Sequence, residues 1–208
     1  MKKFGTAAIL CGGKSRRMGF DKSEIMIDDK LLIEHIAETL EEVFEEVIFI
    51  TDDVRKYEHL KYPVYEDILP EKGPMGGIFT ALNYAFSEFV FVTACDMPIV
   101  HSDFIRHMMK LIEKPEEGAA SWKNGYIETL YAFYSKSMIE RIELLLSREQ
   151  FKLLDLIQSS KMHLIEEEEV LELCGDVDVF INLNKKNDLA LLKEIFGGIT
   201  ISWRSRRL

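Results

Sequence analysis

The chain has 208 residues and a formal net charge of −10. Hydrophobic residues make up 47% of the sequence and charged residues 30%, which is the composition of a globular domain with a sizeable core. The acidic balance argues against a nucleic-acid partner, and no apolar stretch predicts a membrane span or a signal peptide.

The cysteines indicate a reducing compartment. Cys11, Cys95 and Cys174 are widely spaced and odd in number, which predicts free thiols and a cytoplasmic protein. Cys11 and Cys95 both follow predicted central strands, so a disulfide or a two-cysteine metal site is an alternative. Small buried thiols are favoured over that alternative, because no further metal ligands accompany the pair.

The first predicted element is a buried strand over residues 4–10 that runs directly into the paired glycines Gly12 and Gly13. Glycines let backbone N–H groups approach an anion closely, because no Cβ stands in the way. A cluster of basic residues follows and concentrates positive charge in an otherwise acidic chain. These residues are Lys14, Arg16, Arg17 and Lys22. The segment therefore predicts a phosphate-binding loop.

Two common phosphate-binding loops do not fit this segment. A P-loop requires G-x-x-x-x-G-K-[ST], and no Gly-Lys-Ser/Thr follows Gly12 at that spacing. A dinucleotide fingerprint requires G-x-G-x-x-G, which Gly12, Gly13 and Gly19 do not match. On local sequence alone, a glycine turn with an exposed basic patch is the remaining alternative.

Strands and helices alternate over the first 110 or so residues. The further predicted strands cover residues 47–51, 62–65 and 89–93, and the predicted helices cover 31–44, 78–86 and 102–112. This alternation predicts a parallel, doubly wound α/β sheet. Ligands bind beyond the carboxyl ends of such strands. The residues that these ends bring to one edge are Gly12, Gly13, Thr51, Asp67 and Asp96.

The second half is less regular. Lys123-Asn124-Gly125 predicts the turn of a β-hairpin, since Asn-Gly is a strong hairpin signal. Helices are predicted at 136–147, 151–159 and 187–196, and the charge run at 166–169 is predicted to be the solvated face of a helix. A short strand is predicted at 180–183. The basic tail, 200–208, is expected to be disordered. We expect one domain over 1–208, with a nucleotide-binding half of about 1–112, an acceptor-binding half of about 113–198 and a tail of 199–208.

Two aspartates follow predicted strands. Asp96 stands at the tip of a central strand, where a carboxylate is suited to holding Mg²⁺ together with phosphate oxygens. A turn-capping role is its alternative from local sequence. Asp67 follows the third predicted strand, and its local context is equally consistent with a solvent-exposed loop acid.

The pattern Leu-x-Gly-Gly-x-x-x-Arg-Met-Gly-x-Asp-Lys over residues 10–22 resembles the signature of the molybdenum cofactor guanylyltransferases. These enzymes belong to the nucleotidyltransferases of GT-A-like fold. Cys95-Asp96-Met97-Pro98, the glycine-rich loop 73–77 and Asn182-x-Asn184 extend the resemblance over residues 4–192. It implies a three-layer, Rossmann-like, mostly parallel α/β sheet with helices on both faces.

The resemblance also implies roles for individual residues. The nucleotide-binding residues that it implies are Leu10, Cys11, Gly12, Gly13, Lys22, Thr51, Asp67, Gly77 and Asp96. Asp96 would hold Mg²⁺ and take part in catalysis, in which Lys22 and Arg17 would neutralise the departing pyrophosphate. Asn182 and Asn184 would line the acceptor side, although the residues alone favour a helix cap at Asn184.

The activity implied by the resemblance is transfer of GMP from GTP to the phosphate of a molybdopterin-type cofactor, with release of pyrophosphate. The expected partners are GTP, that cofactor, and proteins that deliver or accept it; nucleic acid and membrane are not expected. A CTP-dependent cytidylyltransferase is an alternative, but its loop resembles Leu-x-Ala-Gly, so Gly12 favours GTP. A sugar-phosphate nucleotidyltransferase usually carries a Gly-x-Gly-Thr-Arg-Met loop, which is absent. A nucleotide-binding regulator without catalysis is disfavoured by the joint presence of Asp96 and Lys22.

Overall fold

The computed structural model describes residues 1–12, 24–183 and 188–203 of the chain. Its strands are β1 (Lys2–Leu10), β2 (Ile25–Ile27), β3 (Lys30–Leu31), β4 (Glu46–Thr51), β5 (Val64–Glu66), β6 (Ser87–Ala94), β7 (Gly118–Lys123), β8 (Tyr126–Ser135), β9 (Met162–Ile165) and β10 (Ile201–Trp203). Seven of them form the central sheet in the order β5-β4-β1-β6-β8-β7-β9. The other three form a small sheet in the order β10-β2-β3.

Helices cover both faces of the central sheet. They are α1 (Leu32–Glu41), α2 (Pro74–Tyr84), α3 (Ser102–Leu111), α4 (Ile139–Ser147), α5 (Leu153–Gln158), α6 (Glu167–Cys174) and α7 (Leu189–Phe196). One hydrophobic core joins the sheet to α1, α3 and α6, and a second core joins the other face to α2, α4 and α5. The predicted three-layer α/β fold is thereby confirmed. Among the described helices, none has the length and apolar character needed to cross a membrane.

The strands β5, β4, β1 and β6 are parallel, as predicted for the first half of the chain. Leu10 at the end of β1 pairs with Ile50 on one side and with Ala94 on the other. The carboxyl ends of these strands therefore lie at one edge of the sheet. The strands are near-continuous apolar runs because helices bury both faces of a parallel sheet.

The hairpin β7–β8 extends beyond this edge. Asn124 and Gly125 have φ angles of 50° and 78°, the left-handed conformation that a tight two-residue hairpin turn requires. Tyr131 of β8 pairs with Thr93 near the end of β6, so residues 121–130 project past β6. We call these residues the overhanging hairpin. β7 runs in the same direction as β6, since both are antiparallel to β8, and its carboxyl end lies at the same edge.

The structure corrects two predictions in the last third of the chain. Residues 180–183 form no strand, because their N–H groups bond to loops: Phe180 donates to the Asp178 carboxylate and Leu183 to the Asp96 carbonyl. The expectation of a disordered tail is wrong for residues 201–203, which form β10 and pair antiparallel with β2. Residues 204–208 lie outside the described residues.

Helix α2 begins at Pro74, four residues before the predicted start at residue 78. Proline is favoured in the first helical turn, where its missing N–H costs no hydrogen bond. Gly73 precedes it with a φ of 63°, a conformation open to glycine. The glycine-rich loop identified in the sequence is therefore partly the first turn of a helix.

We expect the substitution Gly118→Ala to destabilise the fold. An added Cβ would stand 2.1 Å from the Phe133 carbonyl oxygen and 2.9 Å from the Met162 side chain, at the start of β7. Because the nearest atom belongs to backbone, β7 and β8 must separate, at a cost of roughly 1–3 kcal/mol. Urea denaturation monitored by circular dichroism measures this loss.

Ser121→Ala, in the same strand, is the matched control. The buried Ser121 hydroxyl has no hydrogen-bond partner in the described part of the chain, so its removal should leave stability unchanged or slightly higher. Equal unfolding midpoints for Gly118→Ala and the parent protein would contradict the close approach of β7 and β8.

Candidate active site

A cleft with a volume of about 640 Å³ opens at the carboxyl edge of the parallel strands. The ends of β1, β4 and β6 form its floor, and the loop after β5 and the first turn of α2 form one wall. Its described lining consists of Leu10, Gly12, Ile50, Thr51, Asp52, Asp67, Pro70, Glu71, Gly73, Pro74, Gly77, Ala94, Cys95, Asp96 and Leu130.

The cleft brings together most of the predicted nucleotide-binding residues that the structure describes. Those in its lining are Leu10, Gly12, Thr51, Asp67, Gly77 and Asp96. Other predicted site residues lie outside the described residues, namely Gly13, Arg17, Lys22 and Asn184, together with Lys14 and Arg16.

Two backbone hydrogen bonds fix the end of β1. The Leu10 carbonyl accepts from the Cys95 N–H at 3.1 Å, and the Cys11 N–H donates to the Ile50 carbonyl at 2.7 Å. The Cys11 amide is therefore engaged within the sheet, so any contact of Cys11 with a nucleotide would come from its other atoms. At Gly12, an added Cβ would meet no described atom within 4 Å.

The Cys11 thiol is buried next to Cys95, which lines the cleft. Burial, reinforced by Cys95, raises the pKa of Cys11 well above its usual range, so this group stays protonated. Both thiols are free, as is that of Cys174, whose pKa burial raises to about 11. In the described ranges, no group of three or more His, Cys, Asp or Glu residues is arranged to hold a metal ion.

Asp67 is held against helix α2. Its Oδ1 accepts from the Thr80 hydroxyl at 2.8 Å and from the Leu69 N–H at 2.9 Å. The same hydroxyl accepts from the Ile68 N–H at 3.0 Å. A Cβ at Gly76 would stand 2.5 Å from the Leu69 carbonyl oxygen, so glycine is required where the loop approaches the helix. Asp67 is thus a positioned residue in the cleft wall rather than a freely solvated loop acid.

The first turn of α2 forms the rest of this wall. Gly73, Pro74 and Gly77 line the cleft. A Cβ at Gly77 would stand 3.2 Å from the Leu10 side chain, so the helix packs closely over the end of β1. The positive end of the helix dipole lies at this turn and favours anionic groups. The sequence predicts a later start for this helix and therefore does not indicate that its N-terminal end lies at the cleft.

Asp96 connects the nucleotide side of the sheet to the second half of the chain. The turn after β6 closes with the Met97 N–H donating to the Ala94 carbonyl at 3.0 Å. The Asp96 carbonyl accepts from the Leu183 N–H at 2.9 Å. Asn182, a predicted acceptor-side residue, therefore adjoins the residue hydrogen-bonded to Asp96, and its amide donates to the Phe180 carbonyl at 3.2 Å.

Asp52 and Glu71 line the cleft but were not predicted as site residues. The Thr51 hydroxyl is buried and accepts a hydrogen bond from the Asp53 N–H at 3.1 Å. The exposed side chain at the end of β4 is therefore that of Asp52. The position of Asp52 directly after an apolar strand is a feature of the sequence from which a role in the cleft could have been predicted. Glu71 has a φ of 67°, which is uncommon for a residue with a Cβ, and nothing in the local sequence indicated it.

The described lining is strongly acidic. It contains four carboxylates, Asp52, Asp67, Glu71 and Asp96, and no lysine or arginine. A polyphosphate placed here would be repelled unless cations accompany it. The basic residues of segment 13–23 or a divalent metal could supply that charge.

Comparison with known proteins supports a nucleotide-transfer site. The family model for the MobA-like NTP transferase domain matches residues 7–164. The chain is 36% identical over 200 residues to a Peptoclostridium acidaminophilum protein named "Probable molybdenum cofactor guanylyltransferase", covering 93% of this chain and 90% of that one. It is also 36% identical over 187 residues to the molybdenum cofactor guanylyltransferase of Syntrophotalea carbinolica, covering 89% of each.

A solved structure agrees with these matches. The fold is similar to that of molybdopterin-guanine dinucleotide biosynthesis protein A from Archaeoglobus fulgidus, with a TM-score of 0.80 and 27% identity. That similarity covers 92% of this chain and 98% of the other. By its fold, its relatives and the family match over most of its length, the chain belongs to the MobA-like nucleotidyltransferase family.

Proposed function

We propose that this enzyme transfers GMP from GTP to the phosphate of a molybdopterin-type cofactor, releasing pyrophosphate and forming a guanine dinucleotide cofactor. The observation that carries the proposal is the hydrogen bond from the Leu183 N–H to the Asp96 carbonyl, 2.9 Å long. It joins the segment containing Asn182 to the strand end that faces the nucleotide cleft. The names of the relatives supply the identity of donor and acceptor.

The cleft suits a nucleotide. Apolar side chains of Leu10 and Ile50 line it, and Gly12, which has no Cβ, would let a base or phosphate approach the backbone closely. Asp67, fixed by Thr80, would accept hydrogen bonds from the nucleoside. The loop residues Gly13, Arg17 and Lys22 would contribute backbone amides and positive charge to the phosphates.

The described donor set fits Mg²⁺. This ion commonly takes one or two carboxylates, together with phosphate oxygens and water, rather than a cage made only of protein groups. Asp96, which lines the cleft at the end of β6, would hold it. When bound, the ion would neutralise charge on the triphosphate.

The residues of the chain act by positioning and electrostatics. A phosphate nucleophile is already ionised near pH 7, so no general base is required. Asn182 would orient the acceptor so that its phosphate attacks the α-phosphate of GTP in line. Lys22 and Arg17 would neutralise the charge that develops on the departing pyrophosphate. Proteins that deliver or receive the cofactor are the further partners that we propose.

Asp96→Asn should reduce turnover by about 10²–10³-fold, because a neutral amide cannot hold a divalent cation as a carboxylate does. Pyrophosphate release from GTP, with Mg²⁺ and molybdopterin supplied, measures the loss. Asp103→Asn is the matched control, since this side chain is 84% exposed on α3 and does not line the cleft. Unchanged turnover in Asp96→Asn would refute the assignment.

Gly12→Ala adds a methyl group at a residue that lines the cleft, where no described atom lies within 4 Å of the added Cβ. The substitution should change which nucleoside triphosphate the enzyme prefers, because the added methyl group occupies space in the cleft. We expect kcat/KM for GTP to fall by about tenfold, and the GTP-to-CTP ratio of kcat/KM to fall with it. Pyrophosphate release with each of the four nucleoside triphosphates measures this ratio. A parent enzyme that prefers CTP, or that turns over only with a sugar phosphate, would overturn the proposed substrates.

Thr80→Val should raise the KM for GTP by about tenfold and lower stability by roughly 1–3 kcal/mol. The substitution preserves shape but removes the hydroxyl that donates to Asp67 and accepts from the Ile68 N–H. Asn83→Ala, one turn later in α2, removes a hydrogen bond to the Phe79 carbonyl at a site away from Asp67. A KM that rises equally in both variants would exclude a specific role for the Thr80–Asp67 contact.

A further inference from the structure

The carboxyl end of β4 is held by hydrogen bonds on both sides. The Cys11 N–H donates to the Ile50 carbonyl at 2.7 Å, and the Asp67 N–H donates to the Thr51 carbonyl at 2.8 Å. Asp52 is the next residue after Thr51, and it lines the cleft. The backbone that carries Asp52 is therefore anchored between the ends of β1 and β5.

The Asp52 carboxylate is open to a ligand. The side chain is exposed, and no hydrogen bond or ion pair joins it to any residue that the structure describes. The neighbouring carboxylate of Asp53, in contrast, accepts from the backbone N–H and the guanidinium of Arg55. In Asp67, one carboxylate oxygen accepts from the Thr80 hydroxyl at 2.8 Å. Asp52 thus offers both of its oxygens to a molecule in the cleft.

Asp52 and Asp96 stand at opposite sides of the cleft floor. β1 lies between β4 and β6, and neighbouring strands are about 4.8 Å apart, so the two strand ends are separated by about 10 Å. The proposed function places the phosphates of the nucleotide at Asp96. The sugar separates these phosphates from the base, so the base would lie toward the end of β4.

Charge favours the same orientation. Asp52, Asp67 and Glu71 give this side of the cleft three carboxylates, and its described lining contains no lysine or arginine. A triphosphate on this side would be repelled by these groups. A neutral base that carries N–H donors would be attracted to them. The base, rather than the phosphates, therefore suits the side on which Asp52 lies.

A carboxylate distinguishes guanine from the other bases by its hydrogen bonds. An ionised carboxylate accepts hydrogen bonds and donates none. Guanine presents two adjacent donors on one edge, the N1–H and the 2-amino group, which match the two carboxylate oxygens in a bidentate pair. Adenine and cytosine each place a ring-nitrogen acceptor beside a single amino group. Uracil places its one N–H between two carbonyl acceptors.

We propose that Asp52 selects the base of the donor by accepting hydrogen bonds from the N1–H and the 2-amino group of guanine. The inference rests on the proposed function for the position of the phosphates at Asp96. It adds to that function a residue that determines base specificity, and this residue acts on the base rather than on the reacting phosphates.

Inosine triphosphate isolates the proposed contact, because it differs from GTP only in lacking the 2-amino group. Isothermal titration calorimetry with Mg²⁺ and without acceptor gives the Kd of each nucleotide. We expect the parent protein to bind GTP at least about tenfold more tightly than inosine triphosphate. Asp52→Ala should bring this ratio close to one, since the loss of a charge affects the identical phosphates of both nucleotides equally. A parent ratio of one, or an unchanged ratio in Asp52→Ala, would overturn the inference.

Xanthosine triphosphate tests the same contact by a gain of binding. Xanthine carries a carbonyl oxygen in place of the 2-amino group, and a carboxylate repels that oxygen. The amide of Asp52→Asn has one acceptor and one donor group, so it can accept from N1–H and donate to the carbonyl oxygen. We expect Asp52→Asn to lower the Kd for xanthosine triphosphate, relative to that for inosine triphosphate, by about tenfold. Equal changes in both Kd values would show an effect of charge alone and would contradict the assignment.

Asp53→Asn is the matched control for these titrations. It removes the same charge from the adjacent residue, which is outside the cleft lining, and its amide oxygen can still accept from the Arg55 N–H. The ratio of the Kd values for GTP and inosine triphosphate should equal that of the parent protein. The same loss of selectivity in Asp53→Asn and Asp52→Ala would exclude a direct contact between Asp52 and the base.

The two proposals can fail separately. Preference for GTP over inosine triphosphate that depends on Asp52, in a protein that releases no pyrophosphate from GTP and molybdopterin, would refute the proposed function and support the inference. Turnover of GTP and molybdopterin by the parent enzyme, with an unchanged ratio of Kd values in Asp52→Ala, would support the proposed function and refute the inference.

Discussion

The register of β1 against its two neighbours is the constraint on which the site depends. Leu10 pairs with Ile50 on β4 and with Ala94 on β6, and backbone hydrogen bonds at Cys11 and Cys95 continue this pairing past the strand ends. A slip of one residue would turn each following side chain to the opposite face of the sheet. The buried apolar residues on both faces oppose such a slip, so the core of the protein sets the positions of the residues that face the cleft.

Charge imposes a second constraint. The described wall concentrates carboxylates in a chain whose net charge is already −10. Charge of this sign makes a bare polyphosphate a poor ligand. Under the proposed function, the wall would favour a nucleotide that is complexed with a cation. The hydrogen bonds from Thr80 and the Leu69 N–H hold Asp67 in place in this wall.

The sequence predicted the parallel core and most of the described cleft for a common reason. The central strands correspond to apolar runs that end at polar or glycine residues, namely 4–10, 47–51 and 89–93. Both the buried strands and the points at which they end can therefore be recognised in the sequence. The segment 180–183 was mistaken for a strand because its conformation depends on hydrogen bonds to Asp178 and Asp96, which leave no periodic pattern. Strands of two or three residues, such as β2 and β3, are too short for any periodicity to show.

The change from parallel to antiparallel pairing places a projecting hairpin beside the cleft. Beyond β6 the next strand is β8, whose first residues run past the edge because the hairpin turn lies beyond the last β6 residue. The projecting residues form a side wall of the cleft. A wholly parallel sheet whose strands all end at the same level would lack this wall. A transferase that joins two large molecules must hold each one firmly and let only their reacting groups meet. Leu130 of the overhanging hairpin lines the cleft, and the Leu183 N–H donates to the Asp96 carbonyl, so the two halves of the chain meet at Asp96.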